Sequence, residues 1–494
     1  MQIKTLIAKL ETVRVDGSSE REITGIAYDS RRVKPGFLFV ALRGEKADGH
    51  KFVEDAIGRG AVAVLCEESA PHPKAASIVV KDTRAAMAAV AAAYYRNPSH
   101  HLKMAGVTGT NGKTTTTFLL KHICDSAFLR CGLIGTVRYE IGERILPASR
   151  TTPESLDLQE MLAQMRNAGC KAAAMEVSSH ALAQERVRAI EFDAAVFTNL
   201  TQDHLDYHGT MENYFAAKAR LFAGLAQQVK KRGGAVINTD DGYGAKLAAK
   251  FARDLPVTSY GMGARADFRA SNVKSDVQGT SYQLDACERS YLVRLPLIGR
   301  FNVYNSLAAL AAASAMGLDL RASVLSLSKA PGVPGRLEAV PAKRQFKIFV
   351  DYAHTDDALL NVLQTLRELS PGRILVVFGC GGNRDRAKRP KMGAVVEQLA
   401  DWAIITSDNP RKEEPGAIIG DIRQGFRGGN YEVLVDRREA IWKAVSLAQP
   451  RDIVLIAGKG HEATQEFADS TVPFDDAAIA QQALEQTPIA EPGH

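Results

Sequence analysis

Short apolar runs separated by amphipathic stretches dominate the hydrophobic pattern of the middle of the chain. Apolar runs at residues 104–107, 172–177, 194–198 and 235–237 alternate with segments of helical periodicity. This alternation predicts a parallel sheet that helices cover on both faces. Residues 267–297 instead alternate polar and apolar positions between turns, which predicts antiparallel hairpins at the edge of the same sheet.

Two further blocks flank this central one. The first has short strand-like runs between Gly, Pro and charged turns, at residues 23–27, 37–41, 61–65 and 77–80. The last follows a Gly-Pro turn at 332–335 and repeats the strand–helix rhythm, with runs at 346–350, 374–378, 402–406, 432–435 and 453–457. We therefore predict an α/β protein with a smaller N-terminal domain (1–85), a central parallel-sheet domain (86–333) and a C-terminal, doubly wound Rossmann-like domain (334–494).

Composition narrows the class of protein. At 494 residues the chain is too long for one hydrophobic core. The net charge of +6 is compatible with anionic substrates such as nucleotides and is too small to indicate a nucleic-acid partner. The six cysteines form no C-x-x-C pair, so they predict neither a zinc site nor a disulfide framework. No apolar run approaches the ~20 residues of a membrane span, so we expect a cytoplasmic protein without a membrane partner.

A glycine-rich segment at residues 105–115 (AGVTGTNGKTT) is the strongest motif. It follows a predicted strand and opens a predicted helix, so its backbone N–H groups can surround phosphate oxygens. Lys113 would neutralise the outer phosphates, and Thr114 would bind Mg²⁺. The usual pattern has glycine where this chain has Val107. Phosphate binding alone leaves kinase, motor, transporter and ligase open.

Acidic and histidine residues follow two other predicted strands. Glu176 lies in MEVSSH at 175–180, where it can complete a magnesium shell, and His204 lies in TNLTQDHLDYH at 198–208. A single histidine is more often structural than functional. Lys218, in YFAAKARLF at 214–222, adjoins an apolar helical face and by itself would be interpreted as a solvent-directed lysine.

Together these motifs resemble the Mur ligase family of peptidoglycan synthesis. The shared elements are GTNGKT at 109–114, EVSSH at 176–180, HLDYHG at 204–209 and the Y-x-x-A-K spacing at 214–218. The resemblance implies an ATP-dependent ligase with Lys113, Lys218 and His204 as catalytic residues. It also implies that CO₂ converts Lys218 to a carbamate, which together with Thr114, Glu176 and His204 would hold two Mg²⁺ ions.

The resemblance further implies three groups of binding residues. Those expected at ATP are Gly109, Thr110, Asn111, Gly112, Lys113, Thr114, Thr115, Asn302, Arg336, Asp351 and His354. Those expected at the uridine-nucleotide substrate are Tyr28, Ser30, Glu45, Lys46, Ala47, Thr151, Thr152, Ser178, Gln184 and Arg186. Those expected at an amino acid are Arg389, Asp408, Asn409, Pro410, Arg411, Gly458 and Glu462.

Arg411, in the DNPR sequence at 408–411, indicates which amino acid is used. Diaminopimelate differs from lysine by a second carboxylate, and an arginine fork can bind that group through two charge-assisted bonds. The resemblance thus implies transfer of meso-2,6-diaminopimelate to the D-glutamyl γ-carboxylate of UDP-N-acetylmuramoyl-L-alanyl-D-glutamate through an acyl phosphate. The nearest alternative is the L-lysine-adding ligase of the same family.

Several points stay open at this stage. The base that deprotonates the amine could be His204, His354 or an unassigned carboxylate. Asp356 stands where the family usually has proline, and we expect it to cap the following helix. Alternatives outside this reaction are a folylpolyglutamate synthetase and, from another class, a P-loop motor or nucleic-acid binder. The N-terminal block argues against the first and the lack of a basic stripe against the second. We expect a monomer.

Overall fold

The computed structural model describes residues 1–8, 10, 12–44, 47–69, 71–342, 344–370 and 372–486. These described residues form three large sheets and one small ribbon, and apolar clusters pack on both faces of each large sheet. Across the same residues, no helix has the length and apolar character that crossing a bilayer requires.

The first sheet has the strand order β1-β5-β4-β3-β2 and is parallel except for β1, which pairs antiparallel with β5. Its strands are β1 (Thr12–Asp16), β2 (Gly25–Ala27), β3 (Phe37–Val40), β4 (Ala61–Cys66) and β5 (Ala76–Val80). Its helices are α1 (Ile3–Ile7), α2 (Val53–Gly58) and α3 (Thr83–Tyr94), with 3-10 turns at Ser30–Arg32 and Gly49–Phe52. A further 3-10 turn, Pro98–His101, leads into the second sheet.

Helix α3 runs across the predicted domain boundary at residue 85. Asp82 begins the helix by accepting the backbone N–H groups of Arg84 and Ala85, and Met87 and Val90 pack in the core of the first sheet. The helix therefore belongs with the first sheet, and we propose a boundary after Tyr94.

The second sheet has the order β16-β15-β14-β13-β12-β11-β6-β10-β7-β8-β9. Its strands are β6 (Lys103–Thr108), β7 (Cys131–Ile134), β8 (Arg138–Ile141), β9 (Arg144–Pro147), β10 (Ala172–Glu176), β11 (Ala194–Phe197), β12 (Gly234–Asn238), β13 (Val257–Gly261), β14 (Phe268–Asp276), β15 (Gly279–Ala286) and β16 (Arg289–Leu295). Its helices are α4 (Lys113–Ser126), α5 (Ser155–Asn167), α6 (Ser179–Ala183), α7 (Leu205–His208), α8 (Met211–Gln227), α9 (Gly242–Phe251), α10 (Arg300–Ala315) and α11 (Leu320–Leu327).

Strand β6 lies inside this sheet, parallel to β10 on one side and β11 on the other. Its side chains alternate between two cores, since Ala105 and Val107 pack on one face and Met104 on the other. The predicted parallel sheet with helices on both faces is therefore confirmed. The antiparallel hairpins predicted for 267–297 are also confirmed, as β14–β16 at one edge.

The third sheet has the order β17-β18-β22-β19-β20-β21, with β17 antiparallel and the remaining strands parallel. Its strands are β17 (Glu338–Val340), β18 (Lys347–Asp351), β19 (Ile374–Phe378), β20 (Trp402–Ile405), β21 (Tyr431–Val433) and β22 (Ile453–Ala457). A ribbon follows, formed by β23 (Thr464–Glu466) and β24 (Thr471–Pro473). The helices are α12 (Asp356–Leu369), α13 (Lys388–Leu399), α14 (Pro415–Arg423), α15 (Arg437–Leu447) and α16 (Asp476–Gln486).

The third sheet is doubly wound, as predicted. Phe349 of β18 packs in the core with residues of α12–α14, whereas its neighbours Ile348 and Val350 pack in the core with residues of α15 and α16. The expectation that Asp356 caps α12 is wrong. Thr355 is the N-cap, because its side chain accepts the N–H of Ala358 at 3.2 Å, and Asp356 is the first helical residue.

Candidate functional site

The glycine-rich loop connects β6 to α4. Gly109 has φ 147°, and a Cβ there would lie 1.8 Å from Thr198 Oγ1. At Gly112, with φ 87°, a Cβ would lie 2.3 Å from Asn305 Oδ1. Both positions therefore require glycine. Val107 is fully buried within β6, so the departure from the usual phosphate-loop pattern falls in the strand and not in the turn.

The loop presents the amino end of α4, whose first turn holds no acidic residue. Such a helix end favours an anion. Lys113, the first residue of α4, folds over the loop and donates from Nζ to Gly109 O at 2.9 Å and to Thr110 O at 2.8 Å. Its ammonium thus lies where the phosphates of a nucleotide would be bound.

Lys218 of α8 is buried next to this loop. It is only 1% exposed, and its Nζ donates to Gly109 O at 2.8 Å. Burial, aided by the charge of Lys113, lowers the pKa of Lys218 well below its usual range. The interpretation of Lys218 as a lysine directed to solvent is therefore wrong, and the side chain can exist as an uncharged amine.

Glu176 and His204 lie on the same side of the loop. Glu176 ends β10, is 1% exposed, and accepts the backbone N–H of Thr136 at 2.8 Å and its hydroxyl at 3.0 Å. His204 precedes α7 with φ 53°, and its Nε2 lies 3.4 Å from Asp203 Oδ2. Burial lowers the pKa of His204 to about 4, so the imidazole is neutral at neutral pH and can bind a metal.

These groups fit magnesium that nucleotide phosphates help to hold. Thr114, Glu176, His204 and Lys218 line one cleft together with the phosphate loop. In the part of the chain that the structure describes, no group of three or more His, Cys, Asp or Glu residues could hold a metal ion. Mg²⁺ is commonly bound by one or two carboxylates plus substrate phosphates and waters, which matches one glutamate and one threonine beside a phosphate loop.

Residues of the third sheet close the other side of this cleft, whose volume is about 650 Å³. Arg336 Nη2 donates to Thr114 Oγ1 at 3.2 Å. Asp357 Oδ2 accepts from Asn111 Nδ2 at 2.9 Å and from Thr201 Oγ1 at 3.1 Å. A nucleotide on the loop would therefore contact two parts of the chain that belong to different sheets.

Asp351 ends β18 and His354 follows it, both at the cleft wall. Asp351 accepts the N–H groups of Leu337 at 2.6 Å and Ala353 at 2.8 Å, which fixes the turn. His354 Nδ1 lies 2.9 Å from Tyr352 O and must donate to that carbonyl, so Nε2 stays an acceptor. Burial lowers the pKa of His354 to about 4. Asn302 accepts from Asn305 Nδ2 at 2.9 Å, and Asn305 is the residue that lines the cleft.

The residues predicted for the uridine-nucleotide substrate mark a path from the first sheet's domain into the second, in two separate sets of hydrogen bonds. Tyr28 donates to Asp157 Oδ2 of α5 at 2.6 Å. Arg186 donates to Thr152 O at 2.8 Å and to Gln184 Oε1 at 2.6 Å.

Thr152 links this path to the metal-binding group. Its hydroxyl donates to Glu176 O at 2.8 Å and accepts from Ser178 N at 3.1 Å, while Thr151 Oγ1 lies 3.0 Å from Thr136 Oγ1. Ser30 is buried in the first sheet's domain, and Ala47 O accepts from Gly44 N at 2.9 Å. Glu45 and Lys46 lie outside the described residues.

The DNPR segment and the glycine turn after β22 meet at the carboxyl edge of the third sheet. Gly458 has φ 116°, and a Cβ there would lie 2.5 Å from Asp408 Oδ2. Asn409 Nδ2 donates to Glu462 Oε2 at 2.7 Å. Arg411 donates from Nε to Glu466 Oε2 at 2.8 Å and from Nη1 to Gly382 O at 2.9 Å. Pro410 O accepts the N–H of Glu413 at 3.0 Å.

Arg389 was expected to contact the amino acid, and its surroundings differ from that expectation. It is fully buried, and its guanidinium forms ion pairs with Glu413 at 3.0 Å and Asp421 at 2.9 Å. A direct contact of Arg389 with an amino acid is therefore not supported, because its neighbours already engage the charge. Arg384, on the loop before α13, is exposed.

Three residues of the site were missed in the sequence. Asp203 lies inside the quoted 198–208 segment, and Lys459 lies between Gly458 and Gly460, so a closer inspection of those motifs could have found both. Lys459 is buried and donates to Asn409 Oδ1 at 2.9 Å. Nothing in the sequence separates Asp357 from a surface aspartate, since its role depends on contacts with residues far away in the chain.

Comparisons with known proteins agree with each other. The model "Mur ligase family, catalytic domain" matches residues 22–95, the Mur ligase middle domain matches 107–313, and "Mur ligase, glutamate ligase domain" matches 335–460. Two UDP-N-acetylmuramoyl-L-alanyl-D-glutamate–2,6-diaminopimelate ligases, from Syntrophomonas wolfei and Halalkalibacterium halodurans, are each 46% identical to the chain. Each alignment covers 98% of this chain and 99% of the relative.

Solved structures of Mur ligases are similar to this chain over nearly its full length. A UDP-N-acetylmuramoyl-L-alanyl-D-glutamate–2,6-diaminopimelate ligase is similar with a TM-score of 0.71 at 36% identity, covering 98% of this chain and 99% of the other. MurF from Acinetobacter baumannii is similar with a TM-score of 0.69 at 21% identity, covering 98% and 99%, which indicates a common fold alone.

Proposed function

Because this chain belongs to the Mur ligase family, we propose that it is an ATP-dependent ligase that adds meso-2,6-diaminopimelate to UDP-N-acetylmuramoyl-L-alanyl-D-glutamate. The single observation that carries this proposal is the similarity, over nearly the full length, to ligases of that name. The bond from Arg336 to Thr114 supports it, because it joins the phosphate loop to the part of the chain that holds the DNPR segment.

The first half of the reaction uses the cleft between the second and third sheets. The γ-carboxylate of the D-glutamyl residue attacks the γ-phosphate of ATP. A bond forms between a carboxylate oxygen and that phosphorus, and the bond between the phosphorus and the ADP oxygen breaks. Lys113, Arg336 and the amino end of α4 stabilise the negative charge of the transferring phosphoryl group. Magnesium ions, when bound beside Thr114, Glu176 and His204, reduce the repulsion between the carboxylate and the phosphates.

Lys218 takes part in this site as a carbamate in our proposal. Its uncharged amine attacks the carbon of CO₂, so that an N–C bond forms as one C–O π bond opens. The nitrogen then releases a proton to water, which leaves a carboxylate-like carbamate. Two features support this: the burial of the side chain and the neighbouring Lys113 ammonium, which would stabilise the negative product.

The second half of the reaction joins the amino acid. The free amine of diaminopimelate attacks the acyl phosphate, a tetrahedral intermediate forms, and inorganic phosphate leaves. Asp408, Asn409, Arg411, Gly458 and Glu462 hold the amino acid, with Arg411 binding the carboxylate that lysine lacks. We assign to His354 the role of the base that accepts a proton from the amine, since its Nε2 is an acceptor at the cleft wall. Closure of the cleft between the two sheets would exclude water, which would otherwise hydrolyse the acyl phosphate.

The remaining assignments are part of the same proposal. The uridine-nucleotide substrate contacts the path from Tyr28 to Ser178, together with Glu45, Lys46 and Ala47. We propose that the enzyme acts as a monomer. We place the reaction in the cytoplasm, where ATP and nucleotide-linked sugars are available.

The test is phosphate release with ATP, Mg²⁺ and the uridine-nucleotide substrate, with meso-diaminopimelate or L-lysine added in parallel. The proposal expects release that depends on diaminopimelate and yields a tripeptide product. Release with lysine alone would still support ligase activity but would reject the assignment of Arg411 to the second carboxylate of diaminopimelate. Release that depends on neither amino acid would reject the proposed substrates.

A further inference from the structure

A buried ion pair lies beneath the proposed amino-acid pocket. Arg437 is the first residue of α15, and Asp476 is the first residue of α16. Arg437 donates from Nε to Asp476 Oδ1 at 2.8 Å and from Nη2 to Asp476 Oδ2 at 2.7 Å. Both side chains are 0% exposed. Water therefore takes no part in this bidentate pair, and each charge depends on the other.

The same guanidinium holds the end of β22. Arg437 Nη2 donates to Ala457 O at 3.0 Å, and Ala457 is the residue before Gly458. Gly458 in turn approaches Asp408 so closely that a Cβ would lie 2.5 Å from its Oδ2. The position of the Ala457 carbonyl thus sets the spacing between two strand ends that both belong to the pocket.

The third guanidinium nitrogen adds a second observation. Arg437 Nη1 is buried and has no hydrogen-bond partner among the residues that the structure describes. A buried polar nitrogen without a partner is destabilising, so the charge of Arg437 depends on the carboxylates around it. Burial opposes the charge of Arg437, but Asp476, Asp408 and Glu462 outweigh it and raise its pKa. Two of these three carboxylates belong to the pocket.

We propose that Arg437 is a positioning residue for the amino-acid pocket, which holds the Ala457–Gly458 turn against Asp408 and links helix α16 to that turn. This inference rests on the proposed function and deepens it. Arg437 does not touch the substrate, because it is fully buried. Its loss should weaken diaminopimelate binding most. Asp351, expected at ATP, accepts the N–H of Gly458 at 3.0 Å, so a smaller effect on ATP is expected, whereas the uridine-nucleotide residues lie with the first and second sheets and should be unaffected.

The test separates positioning from folding by comparing a single and a double variant. R437M alone leaves Asp476 buried without its cation and is expected to destabilise the protein. R437M/D476L removes both charges, and such apolar replacements of a buried pair commonly preserve stability. For the double variant we expect a thermal midpoint near that of the wild type, with the KM for diaminopimelate raised about tenfold by the displaced turn.

Two further measurements complete the test. The KM for the uridine-nucleotide substrate should stay within about twofold, as for changes remote from a site, and the KM for ATP should rise less than the KM for diaminopimelate. R373M is the matched control, because Arg373 pairs with Asp452 at the opposite edge of the same sheet, before β19 and β22. It should alter none of the three KM values.

The outcomes are distinguishable. A folded double variant with the wild-type KM for diaminopimelate would overturn the inference, and so would equal increases in all three KM values. A wild-type enzyme without diaminopimelate-dependent phosphate release would instead reject the proposed function, and the inference with it.

Discussion

The ammonium groups of Lys113 and Lys218 donate to one acceptor, the carbonyl oxygen of Gly109, at 2.9 and 2.8 Å. Two cations that share an acceptor repel each other, and the one removed from solvent loses its proton more readily. Lys218 is that residue. Its conversion to a carbamate would replace this repulsion by an attraction to Lys113.

Substitution of Lys218 is the first prediction. Lys218→Ala should lower kcat about 100-fold or more. Loss of a residue that only supports a metal ligand already lowers activity by factors of about 10 to 100, and Lys218 would be a ligand itself. Formate or acetate should restore part of the activity by supplying the missing carboxylate. ¹³C NMR with labelled bicarbonate should show a carbamate signal in the wild type alone. Lys250→Ala, an exposed lysine of α9, is the control, and a fully active Lys218→Ala enzyme would contradict the prediction.

Arg411 should determine the choice of amino acid. Arg411→Ala removes charge-assisted hydrogen bonds of about 1.5–3 kcal/mol, so the KM for diaminopimelate should rise about tenfold or more. The KM for ATP should not change, because the phosphate loop lies on another element. Steady-state phosphate release with each substrate varied measures both. The exposed neighbour Lys412 provides the control as Lys412→Ala. An unchanged KM for diaminopimelate would show that Arg411 only holds Glu466 and Gly382.

Asp357 should couple the third sheet to the phosphate loop. Asp357→Asn keeps the shape of the side chain and removes the charge that Asn111 and Thr201 contact. A charged hydrogen bond contributes about 1.5 kcal/mol or more, so kcat/KM for ATP should fall about tenfold. Asp356→Asn, one residue earlier, should stay within about twofold, as surface changes do. Equal effects of the two variants would assign the loss to the helix end and not to the contact.

Arg389 should stabilise the fold. Arg389→Met leaves Glu413 and Asp421 without their buried cation, and breaking such a pair costs about 3 kcal/mol of unfolding free energy. Hydrogen bonding to Arg389 lowers the pKa of Glu413 from 4.5 to about 2. The contribution of the Glu413 carboxylate to the free energy of unfolding is therefore complete above pH 4.5 and is lost as the pH falls toward 2.

Denaturant unfolding between pH 2 and pH 7 measures this effect, and the variant should lose the acid-dependent part of its stability. Arg386→Ala is the matched control, since Arg386 pairs with the same Glu413 but its side chain is 71% exposed. It should cost less than about 1 kcal/mol. A variant Arg389→Met with wild-type stability and weak diaminopimelate binding would restore the interpretation of Arg389 as a direct contact.

The sequence was sufficient where the structure depends on local pattern. The buried strands β19 and β22 were predicted with their exact bounds because continuous apolar runs lie between clear turns. The strands β1, β8 and β9 were not predicted, because they are short and carry charged residues. Strand β7 (CGLI) is apolar but only four residues long. Their place in a sheet depends on a neighbouring strand and not on their own composition.

The site divides in the same way. The phosphate loop was identified from its own motif, whose spacing is local, whereas the role of Lys218 came from the resemblance to the Mur ligase family. The burial of Arg389 could not be predicted, because it depends on Glu413 and Asp421, and these residues follow it by more than twenty positions. The contact between Asn111 and Asp357 joins residues 246 positions apart, so only the packing of the two sheets produces it.

The order of strands in the second sheet has a consequence for the synthesis of the protein. Strand β6 is made first, but both strands that pair with it, β10 and β11, follow the loop, and β11 ends about 90 residues after β6. At about 5 to 20 residues per second, the ribosome needs roughly 5 to 20 s to supply them. Through that interval the apolar side chains of β6 lack their neighbours. The nascent chain is then exposed to aggregation, and nucleotide binding cannot stabilise the fold until translation has passed β11.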